Sequence, residues 1–310
     1  MVVQATDPVV QAVRLLHDAQ VQFVYPSNLA DLSRDPGGTR WRSELPDLVQ
    51  TAAKHWHLSL GPVYATSHVS YVAPALRRDG QPVVLKVGFP HHEADHEADA
   101  LRVWNGDGAV QLFDEHGATN SLLLERCDPG TPLHEIRADD ALDVYVDVLP
   151  RLWKPAEARF ATLAAEADLW AESMKQHRSA GSGIHRDGTI VRAITLCADL
   201  ATSQGECVLV HQDLHAGNVL RSTRQPWLAI DPKPLVGERE FAVASIARSN
   251  ELGHSRVAVW RRLDTLCRRL GLDHDRAWGW TFVQTVAWGL DVKSTRHHET
   301  VQWLLDGRPD

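Results

Sequence analysis

The residues best placed to do chemistry lie in one stretch, VLVHQDLHAGNVL (208–220), followed by PWLAIDPK (226–233). An apolar run reads as a strand that enters a polar loop and returns through Asn218, and a second short strand delivers Asp231. Asn218 follows Asp213 by five residues, and Asp231 follows Asp213 by eighteen. That layout suits phosphoryl transfer. One carboxylate, Asp213, orients an attacking hydroxyl and accepts its proton, while the amide oxygen of Asn218 and the carboxylate of Asp231 hold the magnesium ion that bridges the phosphates. His211 reads as a brace for the loop, and Leu214, His215 and Gly217 shape it.

A second set of residues lies upstream. Val83 to Val87 form a β-rich run carrying Lys86 near its end. Placing residues 92–104 on a helical wheel at about 100° per residue puts Glu97 with Ala94, Ala100, Leu101 and Trp104 on the apolar face. A carboxylate there needs a partner. Lys86 is the natural one, with Glu93 competing for it one turn earlier, and such a pair positions an ammonium over nucleotide phosphates. The same segment reads His92-Glu93-Ala94-Asp95-His96, which satisfies H-E-x-x-H and leaves a zinc hydrolase as one alternative.

Between Gly61 and Gly80 no glycine occurs, so no glycine-rich phosphate loop is present there. Ser67 and Ser70, with Thr66, supply hydroxyls that replace some backbone donors to phosphate. The run LLLERCDPG (122–130) leads from the β-rich region into a helical one, and its peptide groups near Glu125 and Cys127 are suited to an adenine.

These residues need elements to hold them. Residues 1–60 read as a helical extension, with one helix opening at Asp7-Pro8 and another at Leu45-Pro46. Residues 61–127 read as a small lobe in the order strand, strand, helix, strand, strand. Its first hairpin turns at Asp79-Gly80, a helix runs from Pro90 to Asn105-Gly106, and two strands cover Ala109 to Phe113 and Ser121 to Glu125. Asp128-Pro129-Gly130 is a turn cluster. Residues 128–310 read as mainly helical, including Glu157 to Met174 and Arg276 to Leu290, around a β-rich island from Cys207 to Ile230.

Composition fits such a protein. Hydrophobic residues make up 44% and charged residues 23% of the 310, as in globular chains. Forty acidic against 32 basic residues give a formal charge of −8, without the basic excess that a nucleic-acid or anionic-membrane partner calls for. No apolar run is long enough to span a bilayer, and four scattered cysteines form no C-x-x-C pair. A cytoplasmic protein is expected.

Taken together, VSYVAPALRRDGQPVVLKVG (69–88), HEADALRVWNGDGAVQLF (96–113), LLLERCDPGTPL (122–133), VLVHQDLHAGNVL (208–220) and PWLAIDPKPLVGERE (226–240) resemble the bacterial aminoglycoside and hydroxyurea phosphotransferases, the streptomycin 6-kinase-like branch of the protein-kinase-like superfamily. The resemblance implies an α+β, two-lobed protein-kinase-like fold, with a small antiparallel-sheet lobe and a larger, mainly helical one. It implies ATP and magnesium as cofactors and transfer of the γ-phosphoryl group to a free hydroxyl of a small, often cationic antibiotic. Asp213 would then be the catalytic base, Asn218 and Asp231 magnesium ligands, Lys86 the phosphate lysine and Glu97 its partner. Glu238, Glu240 and Asp291 are candidate acidic contacts for a cationic acceptor. The chain departs from the family at Ala242, where an aspartate is usual, and at Gln212, where glycine is common. With Ala242 and the glycine-poor loop, a nucleotide-binding pseudokinase is the other alternative.

Overall fold

The computed structural model describes residues 23–26, 29, 32, 37–65, 67, 69–155, 158–180, 185–290 and 295–309. The chain divides into two units, Met1–Ala98 with Val110–Arg126, and Asp99–Ala109 with Cys127–Asp310.

The first unit is built on an antiparallel sheet of β1 (Ser59–Leu60), β2 (Ser70–Leu76), β3 (Pro82–Gly88), β4 (Leu112–His116) and β5 (Ser121–Glu125), in the order β1-β2-β3-β5-β4. The Asp79-Gly80 hairpin forms as its sequence indicates. Ser70 pairs with Gly88 and Leu76 with Pro82, and Gly80 takes a φ of 86° that side chains resist. Leu85 and Val87 share one face of β3 and pack with Trp41, Leu45 and Val49 of helix α1 (Gly38–His55). The period of two places Lys86 on the opposite face.

α1 begins well before the Leu45-Pro46 start expected from sequence. Trp41, Leu45, Val49 and Ala52 recur at three- and four-residue intervals and are buried, and that stripe outweighs the one backbone hydrogen bond that Pro46 cannot donate. The helix can start at Gly38 because that residue has no side chain: a Cβ there would lie 1.9 Å from the Leu32 carbonyl oxygen. The helix expected at Asp7-Pro8 lies outside the described residues.

Two further boundaries differ from expectation. The strand expected over Ala109 to Phe113 runs instead over Leu112–His116, while Ala109 makes an isolated parallel bridge to Ala229. The helix expected from Pro90 is broken: His92–Ala94 form a single 3-10 turn, His96 takes a φ of 68°, and α2 (Glu97–Trp104) begins only after it.

The second unit is mainly helical. It contains α3 (Ala138–Leu152), α4 (Leu163–Ala180), α5 (Asp187–Thr202), α6 (Ala244–Arg248), α7 (Arg256–Leu270), α8 (His274–Trp288) and α9 (Thr295–Leu305). Two small sheets accompany them. One is the antiparallel pair β7 (Cys207–His211) and β10 (Pro234–Glu238); the other orders β6 (Pro129–Pro132), β8 (Val219–Ser222) and β9 (Trp227–Ala229) as β6-β8-β9. β6 replaces the turn expected at Asp128-Pro129-Gly130, and α4 lies six residues later than the sequence pattern suggested. Among the described residues no helix is long and apolar enough to cross a membrane.

α8 is the central helix of this unit, buried without a break from Gly279 to Val286. Its start is fixed by Asp273, whose carboxylate accepts from the Arg276 N–H, and by a buried ion cluster. Glu238, at the end of β10, is 0% exposed; it accepts from Arg276 Nε at 2.6 Å and Nη2 at 2.7 Å, from Gly205 N at 3.1 Å, and from the Trp280 indole. The carboxylate is fully desolvated and its guanidinium partner partly so, and the Gly205, Trp280 and Arg276 donors all depend on it. Glu238→Ala is expected to lower unfolding stability by about 3–5 kcal/mol, read as a fall in the urea midpoint.

Candidate active site

In the first unit, Lys86 and Glu97 meet. Lys86 Nζ lies 2.7 Å from Glu97 Oε1 and 2.6 Å from Oε2, and both side chains are buried. The broken helix does not spoil this, because Glu97, Ala100, Leu101 and Trp104 still share one face within α2 and are all buried. The ammonium is therefore held by a charge-assisted bidentate contact. Ser67 Oγ lies 3.0 Å from Ser70 Oγ, at the start of β2. Glu125 closes β5, where its carboxylate accepts from Gln111 N at 2.9 Å. Cys127 opens the longer segment of the second unit and is half-buried.

The H-E-x-x-H segment lacks the geometry that its pattern calls for. Two imidazoles at i and i+4 share a face only on a continuous helix, and here the chain turns left-handed at His96.

In the second unit, β7 ends at His211 and releases the loop that carries Asp213. The N–H of Asp213 donates to His211 Nδ1 at 3.2 Å, and His211 Nε2 faces the Ile230 carbonyl at 3.0 Å. The neutral imidazole protonated at Nε2 satisfies both contacts. Burial pushes this imidazole down to about 4, against the raising pull of the Ile230 carbonyl, Asp213 and Asp231. Two more bonds tie the same strands: Ile230 N donates to Asn218 O at 2.9 Å, and Gln212 N to Lys233 O at 3.1 Å. Asp213, Asn218 and Asp231 are thus gathered by the backbone. Asn218 Nδ2 donates to the Asp213 carbonyl at 2.9 Å, and Asp231 has a φ of 53°, a left-handed conformation that aspartate tolerates better than most residues.

The charge around Asp213 comes from residues that sequence spacing did not single out. Lys233 Nζ lies 3.4 Å from Asp213 Oδ2, and Arg248 Nη2 lies 3.7 Å from Oδ1. Burial alone would raise this carboxyl, but Lys233, His215 and Arg248 outweigh it and hold it below the usual value. Both cations sit over the Trp288 ring, at 5.0 Å for Lys233 and 4.4 Å for Arg248. His215 Nδ1 contacts both Glu251 oxygens at 3.0 and 3.1 Å, and Glu251 also accepts from Gly217 N at 2.9 Å. Burial lowers the His215 pKa, yet the bond to Glu251 and the charge of Asp213 reverse this and raise it.

A cavity of about 330 Å³ opens beside these groups, lined by Asp213, His215, Arg248, Asn250, Glu251 and Thr300 among others. Its loop wall is templated by Arg262, a buried cation that donates to the carbonyls of Ala247, Ser249, Leu252 and Gly253 at 2.6–3.2 Å. Neither Glu238 nor Glu240 is among the described lining residues. Glu238 is enclosed in its ion cluster, and Glu240 Oε1 accepts from Asp273 N at 3.3 Å. Asp291 lies outside the described residues. Lys233 was passed over, although its place two residues after Asp231 is a signal that could have found it. Arg248, Glu251 and Trp288 carry no spacing signal, since they arrive from a different part of the chain.

A family model described as Aminoglycoside/hydroxyurea antibiotic resistance kinase matches residues 55–294. The chain is 35% identical over 264 residues to a streptomycin 6-kinase of Streptomyces glaucescens, covering 82% of this chain and 86% of that protein. It is 34% identical over 282 residues to a hydroxyurea phosphotransferase of Kitasatospora aureofaciens, covering 86% and 80%. Among solved structures, choline kinase LicA from Streptococcus pneumoniae superposes with a TM-score of 0.56 at 12% identity, covering 85% of this chain and 100% of that one. At that identity the likeness speaks for the fold, which is protein-kinase-like.

A buried neutral histidine makes stability depend on pH. The folded pKa of His211, about 4, lies below its ordinary value of 6.5, so the unfolded chain binds the proton more readily. The stabilisation is complete above pH 6.5 and is lost as the pH falls towards 4. At pH 5 the loss from this residue is about 2 kcal/mol. Chemical denaturation at pH 7 and pH 5 should show it, and His211→Asn should shrink that difference by about the same amount, leaving the share of His185 and His297, which burial also pushes down to about 4.

Proposed function

The chain belongs to the aminoglycoside/hydroxyurea antibiotic resistance kinases, and from that premise we propose that it transfers the γ-phosphoryl group of ATP to a hydroxyl of a small, cationic acceptor of the aminoglycoside type. The observation that carries this reading is Asp213: a carboxylate at the wall of a cavity, kept ionised by Lys233 and Arg248 although burial opposes it.

In this reading the acceptor lies in the cavity with its hydroxyl on Asp213. The carboxylate orients the oxygen and takes its proton as the new O–P bond forms and the bond to the leaving ADP breaks. Such a reaction relies on positioning and electrostatics more than on covalent chemistry by the protein. Lys86, held by Glu97, neutralises phosphate charge, and the Ser67 and Ser70 hydroxyls add donors. The peptide groups near Glu125 and Cys127 bind the base.

Asn218 and Asp231 fit a magnesium site. They supply hard oxygen donors, and because Asn218 Nδ2 is committed to the Asp213 carbonyl, the planar amide turns its Oδ1 the other way. The ion, when bound, neutralises charge on the phosphate oxygens. Glu251 takes the place of Glu238 and Glu240 as the acidic contact for a cationic acceptor, because it lines the cavity and they do not. ATP dependence assigns the reaction to the cytoplasm.

Asp213→Ala should lower kcat by roughly 10²–10⁴-fold and leave ATP affinity within about threefold, measured by ADP release with streptomycin and with hydroxyurea and by calorimetric nucleotide titration. Retention of wild-type turnover in that variant would overturn the assignment.

A further inference from the structure

Gln284 lies in the middle of α8 and is 0% exposed. Both ends of its carboxamide are engaged. Nε2 donates to the Gln212 carbonyl at 3.1 Å, and Oε1 accepts from Arg248 Nε at 3.1 Å. Gln212 is the residue before Asp213, so the first bond fixes the peptide from which the Asp213 side chain departs. The second fixes the guanidinium whose Nη2 lies 3.7 Å from Asp213 Oδ1. Trp288 is four residues further along the same helix and therefore on the same face, where its ring supports both Arg248 and Lys233. One face of α8 thus holds the backbone, the cations and the aromatic surface that together surround a single carboxylate.

We propose that Gln284 is a positioning residue for Asp213, acting through the Gln212 carbonyl on one side and through Arg248 on the other. This rests on the reading of Asp213 as the base. Few side chains could serve here. A carbonyl needs a donor and a guanidinium needs an acceptor, and a carboxamide offers one of each in a plane, with no net charge to desolvate. A glutamate accepts from Arg248 but sets an oxygen against the Gln212 carbonyl and draws the guanidinium from Asp213. A methionine of similar volume makes neither bond. The position also bears on Ala242, which is buried in the 3-10 turn Arg239–Val243 and has no polar side chain to hold the loop. The bond from Gln284 supplies a side-chain support for the loop from another element.

The test compares Gln284→Met, Arg248→Met and the double variant, each also made in the Asp213→Asn background, using ATP with streptomycin or hydroxyurea, whichever the wild type turns over. Gln284→Met is expected to lower kcat by about 10–100-fold while the KM for ATP moves by less than about threefold, which a general loss of packing would not produce in the folded fraction. Because both residues belong to one link, the double variant should fall little below the worse single variant rather than to the product of the two effects. In the Asp213→Asn background, adding Gln284→Met should leave the residual rate unchanged. Gln284→Glu keeps the volume and repeats the measurement if the methionine variant does not fold; if neither folds, Arg248→Met alone must lower kcat. A Gln284 variant with reduced Tm but wild-type kcat, multiplying effects in the double variant, or an unaffected Arg248→Met overturns the proposal while leaving Asp213 in its role if Asp213→Asn is inactive. A fully active Asp213→Asn, or a wild type that turns over neither acceptor, overturns the functional reading and this inference with it.

Discussion

One neutral imidazole links the two loops on which the site depends. His211 accepts from the Asp213 N–H through Nδ1 and faces the Ile230 carbonyl through Nε2, so the loop carrying Asp213 and the strand end preceding Asp231 keep a fixed separation. The arrangement works in one protonation state. A doubly protonated ring has no acceptor for the Asp213 N–H, and burial is what makes that state costly. Desolvation, which usually counts against a polar side chain, here selects the form that holds the loops together.

The same economy of buried polar groups recurs across the molecule. Lys86 is desolvated against Glu97, Glu238 against Arg276 and Trp280, and Arg262 against four backbone carbonyls. Each group is costly alone and tolerable only with its partners in place, so each specifies a local geometry more sharply than apolar packing does. Asp213 differs from these in one respect. Its nearest cations stand 3.4 and 3.7 Å away, longer than the 2.6–2.7 Å contacts of Lys86 with Glu97. Among the described residues the charge has no close, bidentate partner, and the carboxylate still borders the cavity.

Much of the architecture was legible from local pattern. The Asp79-Gly80 hairpin, the strand at Ser121, α8 and the loop from His211 to Asn218 all follow from turn residues and periodicity that act over a few positions. The misjudged places are those where a tertiary contact overrode a local preference. Pro46 marks a helix start in isolation but sits inside α1, because the stripe from Trp41 to Ala52 has a sheet to cover. Residues 92 to 104 fit one helical wheel, yet the chain breaks at His96 and only the part from Glu97 onward is helical. Glu238 reads as an acidic contact for an acceptor because nothing nearby in sequence announces Arg276 or Trp280, which reach it from α8.

The candidate site divides along the same line. Asp213, Asn218 and Asp231 flank β7, β8 and β9 within a short stretch of chain, and Lys86 and Glu97 come from consecutive elements, so order and spacing alone singled them out as candidates. Arg248, Glu251, Gln284 and Trp288 come from α6, the loop after it and α8, and they reach Asp213 or its loop only because α8 packs against α5, α6 and the 3-10 turn Arg239–Val243. Side-chain type and short spacing are written in the sequence. Which distant side chains converge on a charge is decided by how helices pack, since packing fills space without regard to separation along the chain.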